Sequence, residues 1–293
     1  MTISIETFIE DGKETIEREM KGYLEKTIPE RLYDSMAYSL FAGGKRLRPV
    51  LLFASFHSFA DKIEKTYRTA AALEMIHTYS LIHDDLPAMD DDDYRRGRLT
   101  NHKRFDEATA ILAGDGLLTL SFQLIAEDAL LTAEEKVYIT QELAKAAGPA
   151  GMVAGQVLDM EGEEKELSLE ELEKVHRLKT GKLISFAVEA GAYLAGASEE
   201  QRKHLREFAD YLGLIFQVQD DILDVIGDPD KLGKPVGSDS ENEKSTYPNL
   251  LGLEGAKEKL QEYERFALQA LEQSGATGSY LRDLVKHFGN RDA

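Results

Sequence analysis

Prolines are scarce in this chain, 7 in 293 residues, and that scarcity limits its fold more than any other feature. Proline removes a backbone donor and breaks a helix interior, so its absence leaves long stretches free to coil. Ala, Leu, Glu and Lys, the strong helix formers, recur along those stretches. The Val-, Ile- and Thr-rich alternation of strands is hard to find anywhere. Residues 4–27 form an amphipathic helix on paper, with Ile5, Phe8, Ile9, Ile16, Met20, Tyr23 and Leu24 near helical spacing. Pro29 sits near the start of the next helix, which Gly43-Gly44 stops near Ala42. Residues 49–60 are almost entirely apolar and predict a helix buried on all sides. Further helices are predicted over 66–86, 105–128, 133–147, 172–194, 199–225, 250–272 and 280–288. Ser168 is a helix start, with Glu170 and Glu171 in the first turn. The pattern predicts an all-α fold of roughly ten helices around one core. No low-complexity linker or internal repeat divides it, so 1–293 is expected to be a single domain.

Charge then narrows the partners. Lys plus Arg number 35 and Asp plus Glu 54, a formal charge of −19. Nucleic acid and anionic lipid are gripped by clustered Lys and Arg, so neither is an expected partner. With no Cys, disulfides, thiolate nucleophiles and Cys-ligated zinc are excluded. The acidic first ten residues carry no signal-peptide pattern. No uninterrupted apolar stretch is long enough to span a bilayer. The expectation is a soluble cytoplasmic protein without a membrane anchor.

Two acidic clusters carry the chemistry. Asp84, Asp85, Asp90, Asp91, Asp92 and Asp93 put six aspartates within ten residues at the end of an apolar helix. Crowded carboxylates repel one another and call for a positive partner. Hard divalent cations prefer such oxygen ligands. A solvated acidic turn is the commoner fate of acidic runs, but this run caps a buried helix and leads directly into Arg95 and Arg96. In the second cluster Asp220 and Asp224 are four apart, on one helix face, and Gln217 lies on the same stripe. Its neighbours are apolar, so the carboxylates are costly unless paired or bound to metal. The alternative there is a set of surface acids bonded to lysines, yet no Lys or Arg lies in that segment. Acidic clusters on separate helices can hold Mg²⁺, which also binds phosphate oxygens and so lets an acidic protein hold polyanions.

Cations mark where such phosphates would sit. Gly43-Gly44-Lys45-Arg46-Leu47-Arg48-Pro49 offers backbone N–H groups and three cations beside a helix start, an anion cradle or a plain solvated loop. Lys179-Thr180-Gly181-Lys182 adds two cations and a hydroxyl. Glycine within a helix costs about 1 kcal/mol relative to Ala, which points either to close approach of a ligand or to tight helix packing. His77, seven residues before Asp84, shares its helix face. His83, His57 and His102 receive no role from spacing. Pro87 cannot continue a regular helix, so the helix is predicted to bulge or end near it and bring Asp90 back beside Asp84. Ser80 lies one turn before Asp84, with Tyr79 beside it. Small Ser80 leaves room below the acids, and the Tyr79 ring is a candidate pocket floor.

Taken in order from Gly43 to about Leu251, these segments resemble the short-chain trans-prenyl diphosphate synthases, most nearly the bacterial members that make farnesyl diphosphate. The first aspartate-rich motif matches Asp84-Asp85-Leu86-Pro87-Ala88-Met89-Asp90. The second matches Asp220-Asp221-Ile222-Leu223-Asp224. The resemblance implies an isoprenoid-synthase-like helical bundle around a central cavity, usually a homodimer, with three Mg²⁺ holding an allylic diphosphate. It implies Asp84, Asp90 and Asp220 as metal ligands, with Asp85 and Asp224 as supporting acids at the metal. Gly44, Lys45, Arg48, His77 and Arg96 would hold isopentenyl diphosphate. Arg95, Lys179, Thr180, Gln217, Lys234 and Lys244 would surround the allylic diphosphate, with Lys179, Thr180 and Gln217 nearest the chemistry.

The implied reaction ionises dimethylallyl or geranyl diphosphate with Mg²⁺ assistance and adds isopentenyl diphosphate, giving (2E,6E)-farnesyl diphosphate and diphosphate. The loop from Gly227 to Thr246 would act as a lid that excludes water. Geranylgeranyl or geranyl diphosphate is the alternative product. A terpene cyclase of related fold would have less use for Lys45 and Arg48. An acidic scaffold or ion buffer would need no cations beside its acids. Arg291, near the C-terminus, is a further candidate phosphate contact.

Overall fold

The computed structural model describes residues 3–24, 29–162, 165–227, 245–276 and 279–289. Among them every regular element is a helix apart from one small hairpin. It divides into two compact units, Met1–Phe53 with Lys62–Gln141, and Ala54–Asp61 with Glu142–Ala293.

In the first unit α1 (Ile5–Tyr23) starts where Ser4 Oγ accepts the Thr7 amide at 3.2 Å, an N-cap. Pro29 precedes α2 (Glu30–Leu40). Gly43 and Gly44 follow with φ of 87° and 120°, a path that glycine takes without steric cost. α3 (Leu47–His57) is buried from Val50 through Phe56, as its uniformly apolar sequence predicts. α4 (Tyr67–Asp84) is the central helix of this unit, with α1, α2 and α6 (Glu107–Ala126) against it. Eleven of its side chains are buried, on all faces. Between α4 and α6 come the strands β1 (Tyr94–Arg95) and β2 (Arg98–Leu99) and the short α5 (Asn101–Arg104). Asp106 caps α6 by accepting the Thr109 amide at 2.7 Å. Among the described residues α6 alone is long and apolar enough to cross a bilayer by composition; much of its apolar side packs on α4 and α2 instead. α7 (Ala133–Ala147) follows the predicted span.

In the second unit α8 (Met152–Gly162) is a helix the sequence pattern does not predict. Gly151, Gly155 and Gly162 bracket and interrupt it, which weakens any propensity signal. Ser168 and Glu171 form a reciprocal capping box at the start of α9 (Leu169–His176). The predicted helix 172–194 is three pieces: α9, a π-helical turn at Arg177–Gly181, and α10 (Lys182–Leu194). Ser198 and Gln201 form a second capping box on α11 (Glu199–Ile226). α12 (Tyr247–Ser274) begins at the Thr246 cap and kinks at Gly252, where φ is 72°. α13 (Ser279–Gly289) closes the unit against α11 and α12. In the middle of α10, Glu189 accepts Arg202 at 2.5 Å and Arg206 at 3.1 Å from the first turns of α11. This pairing of buried Glu189 fixes how the two helices align.

Candidate functional site

The first acidic cluster is shaped by the way α4 ends. Its last helical residue is Asp84, three positions before Pro87. The chain then turns tightly: Met89 N donates to Leu86 O at 2.8 Å and Asp90 N to Asp84 O at 2.9 Å. Asp90 is thereby returned to Asp84, although six residues in a straight helix would place them on different faces. Asp84 is half-buried and Asp90 exposed. Asp85 is buried, and its Oδ1 accepts Arg95 Nε at 2.6 Å. Burial, partly offset by Arg95, pushes its carboxyl up to about 6. Asp85 is therefore the brace that holds Arg95, which also reaches Asp92 at 3.5 Å.

Arg95 and Arg96 are aimed by the hairpin. Tyr94 pairs with Leu99 and Arg95 with Arg98. The two turn residues, Arg96 and Gly97, both take positive φ, 54° and 71°, as a tight two-residue hairpin with right-handed twist requires. Arg96 Nη1 then donates to the Gly43 carbonyl. A β-carbon at Gly44 would lie 2.7 Å from the Arg96 guanidinium, so Gly44 makes room for it. His77 faces the same cations. Burial first, then Arg48, Arg96, Arg46 and Arg95, hold its pKa well below the ordinary histidine value, so it is neutral at pH 7. Gly44, Arg48, His77, Arg95 and Arg96 thus form one neighbourhood; Lys45 is exposed at its edge.

One of the three cradle cations faces the other way. Arg46 is buried, with φ of 50°. It donates to Glu74 at 2.7 Å and Leu40 O at 2.6 Å, and pairs with Glu17 at 3.3 Å. Arg46 thus anchors the loop from below, and Lys45 and Arg48 remain its candidate cradle cations. Tyr79 is buried, its ring edge-on to His83 at 5.7 Å, and half-buried Ser80 donates to His77 O at 2.8 Å. Both lie one turn before Asp84, as expected.

In the second unit the π turn carries Lys179 and Thr180. Lys179 Nζ lies 2.5 Å from Asp159 Oδ2 of α8. Thr180 Oγ1 donates to Gln217 Oε1 at 3.3 Å. Gln217 Nε2 reaches Asp221 Oδ1 at 3.4 Å, and Asp221 Oδ2 accepts the Tyr247 amide at 3.0 Å. Asp221, which spacing leaves without a role, therefore caps α12 and steadies Gln217. Asp220 is half-buried on α11, and Asp224 is buried. Gly181 records tight packing, since a β-carbon at Gly213 would lie 2.9 Å from its Cα. Lys234, Lys244 and Arg291, with most of the loop from Gly227 to Thr246, lie outside the described residues.

The donor chemistry suits Mg²⁺. Asp84 and Asp90 offer oxygen ligands at one turn, and no three His, Asp or Glu side chains among the described residues form a ready-made cage. Mg²⁺ usually takes one or two carboxylates and completes its octahedron with water and substrate phosphate.

The chain matches known proteins over most of its length. The polyprenyl synthetase family profile matches residues 29–283. The farnesyl diphosphate synthase of Geobacillus stearothermophilus is 51% identical over 293 residues, covering 99% of both chains. That of Bacillus subtilis is 54% identical over 263 residues, 89% of each chain. The crystal structure of a geranyltransferase from Legionella pneumophila, 36% identical, superposes with a TM-score of 0.86 over 98% of this chain and 97% of that one.

Proposed function

The chain belongs to the polyprenyl synthetase family, and from that premise we propose that it is a trans-prenyltransferase condensing isopentenyl diphosphate with dimethylallyl and geranyl diphosphate to give (2E,6E)-farnesyl diphosphate and diphosphate. The carrying observation is the turn that returns Asp90 to Asp84 beside His77, Arg95 and Arg96, in a chain about half identical to two farnesyl diphosphate synthases.

Asp84, Asp90 and Asp220 would hold Mg²⁺, with Asp85 and Asp224 in support. The ions would stabilise negative charge growing on the departing diphosphate, as electrostatic catalysis requires. Arg95, Lys179, Thr180 and Gln217 would surround the allylic diphosphate, with Lys234 and Lys244 joining from the 227–246 loop. The allylic C–O bond breaks there, leaving a carbocation. The lone pairs of Gln217 and Thr180 steady that cation. Gly44, Lys45, Arg48, His77 and Arg96 would orient isopentenyl diphosphate so that its double bond attacks. The proton then lost passes to the released diphosphate, so no protein base is needed. Closure of the loop would exclude water, which would quench the cation.

The family match runs across both units, which supports reading 1–293 as one synthase domain. A homodimer is supported by the resemblance and by Ile111 and Leu112 of α6, 43% and 59% exposed. A cytoplasmic location suits an enzyme with water-soluble diphosphate substrates.

Incubation with Mg²⁺, geranyl diphosphate and labelled isopentenyl diphosphate tests the reading. Labelled farnesyl diphosphate is the expected product, and prior chelation of Mg²⁺ abolishes it. A cyclised hydrocarbon without label, or no turnover with Mg²⁺ present, overturns it.

A further inference from the structure

The π turn Arg177–Gly181 is gripped from two sides in the same manner. On one side α8 approaches at Gly155, where a β-carbon would come within 2.6 Å of Lys179 Cα and 2.7 Å of the Leu178 carbonyl carbon. One helical turn further along α8, Asp159 takes the Lys179 ammonium at 2.5 Å. On the other side α11 approaches at Gly213, whose β-carbon would lie 2.9 Å from Gly181 Cα. One turn further along α11, Gln217 takes the Thr180 hydroxyl at 3.3 Å. Each helix thus supplies a glycine for close approach and, four residues on, a polar side chain that holds one group of the turn. Residues four apart share a helix face, so the glycine contact and the side-chain contact are set together.

We infer that Gly155, Asp159 and Gly213 are positioning residues: the two glycine contacts place the π turn between α8 and α11, and Asp159 and Gln217 fix the Lys179 ammonium and the Thr180 hydroxyl upon it. The ammonium then meets the allylic diphosphate while the Thr180 oxygen, its proton given to Gln217, faces the reacting carbon at one set separation. This rests on the proposed prenyl transfer, in which Lys179 and Thr180 attend that substrate. The physical case is preorganisation. A free lysine carries about 2 kcal/mol of rotamer entropy, and a carboxylate partner removes part of that cost before substrate arrives. The ammonium has three donors, so it keeps Asp159 while offering N–H groups to phosphate. The Lys179–Asp159 pair is 27% and 31% exposed, and pairs so wetted add little to stability. Its value therefore lies in placement. A π turn is an irregularity that persists where its surroundings dictate it, and such turns gather at functional sites.

The test measures kcat, KM for both substrates and Tm for Asp159→Asn, Gly213→Ala and Gly155→Ala. It includes the double variants Asp159→Asn with Lys179→Ala, and Gly213→Ala with Thr180→Val. Misplacing a reacting group by about 1 Å can cost roughly 100-fold, so kcat should fall about 100-fold in Gly155→Ala and about 10-fold in the other two. KM for isopentenyl diphosphate should stay within about 2-fold, and Asp159→Asn should leave Tm nearly unchanged. In each double variant the positioning substitution should cost nothing beyond the Lys179→Ala or Thr180→Val single variant measured alongside, because the group being positioned is already gone. Retained kcat in Asp159→Asn and Gly213→Ala, or losses that multiply in the double variants, overturns the inference. Should Gly155→Ala fail to fold, the other two variants decide. A wild-type protein that does not condense the two diphosphates sinks the functional reading instead.

Discussion

Arg46 shows how much one side chain's direction matters. In the sequence it is the middle of three cations after a glycine pair, indistinguishable from Lys45 and Arg48. In the fold it turns inward to Glu74, Glu17 and Leu40 O, and no local signal announces that Glu74 waits twenty-eight residues away. Removing one partner of a buried pair costs about 3–5 kcal/mol. Glu74→Gln should therefore lower the urea-unfolding free energy by about 3 kcal/mol, whereas Lys45→Gln, at an exposed position, should leave it within about 0.5 kcal/mol. At the acids, Asp84→Asn should cut kcat at least about 100-fold and raise the Mg²⁺ concentration needed for half-maximal rate. Asp85, held by Arg95, is a residue whose motif position was legible and whose partner was not. Asp159 was invisible at this scale: its meaning comes only from Lys179, twenty residues downstream.

Element by element, the segments with strong periodicity or clear caps were the ones the sequence specified. α1, α7, α9 and α11 begin at or within a few residues of the predicted starts, because Ser4, Thr132, Ser168 and Ser198 are effective N-caps. The break at Pro87 was readable too, since a helix cannot run through proline. α8 was missed because its glycines mask its helix propensity, and those glycines exist for packing that only neighbouring helices reveal. The hairpin was missed because strands of two residues have no alternation to detect. Its left-handed turn gives a direct check. Gly97→Val forces a β-branched residue to φ of 71°, which should cost about 1–2 kcal/mol and, by disordering Arg96, raise KM for isopentenyl diphosphate. On α4, Ser80→Phe should shorten the product and Tyr79→Ala should lengthen it, read by chromatography of the dephosphorylated alcohols. An unchanged distribution in both would remove this floor from the account.

For the whole molecule, acid sensitivity and self-association are the properties to measure. His176 stacks on Tyr247 at 5.9 Å with Nε2 buried and unpartnered, and burial pushes its pKa down from 6.5 to about 4. As pH falls the unfolded chain takes up this proton first, so stability is intact above pH 6.5 and declines between 6.5 and about 4. That gap corresponds to about 3 kcal/mol, and His176→Gln should flatten this part of the urea midpoint against pH. Sedimentation should show a dimer, and Leu112→Glu, on the exposed side of α6, should shift it toward monomer. The sequence by itself determined the helical class, most of the helices in order and the presence of two acidic clusters, because periodicity, capping and local charge are properties of neighbours along a chain. Only the tertiary structure decided that Arg46 is an anchor, that Asp221 is a cap and that the π turn lies between two glycines. Those roles belong to contacts between residues far apart in sequence, and no local pattern encodes which distant side chain will arrive.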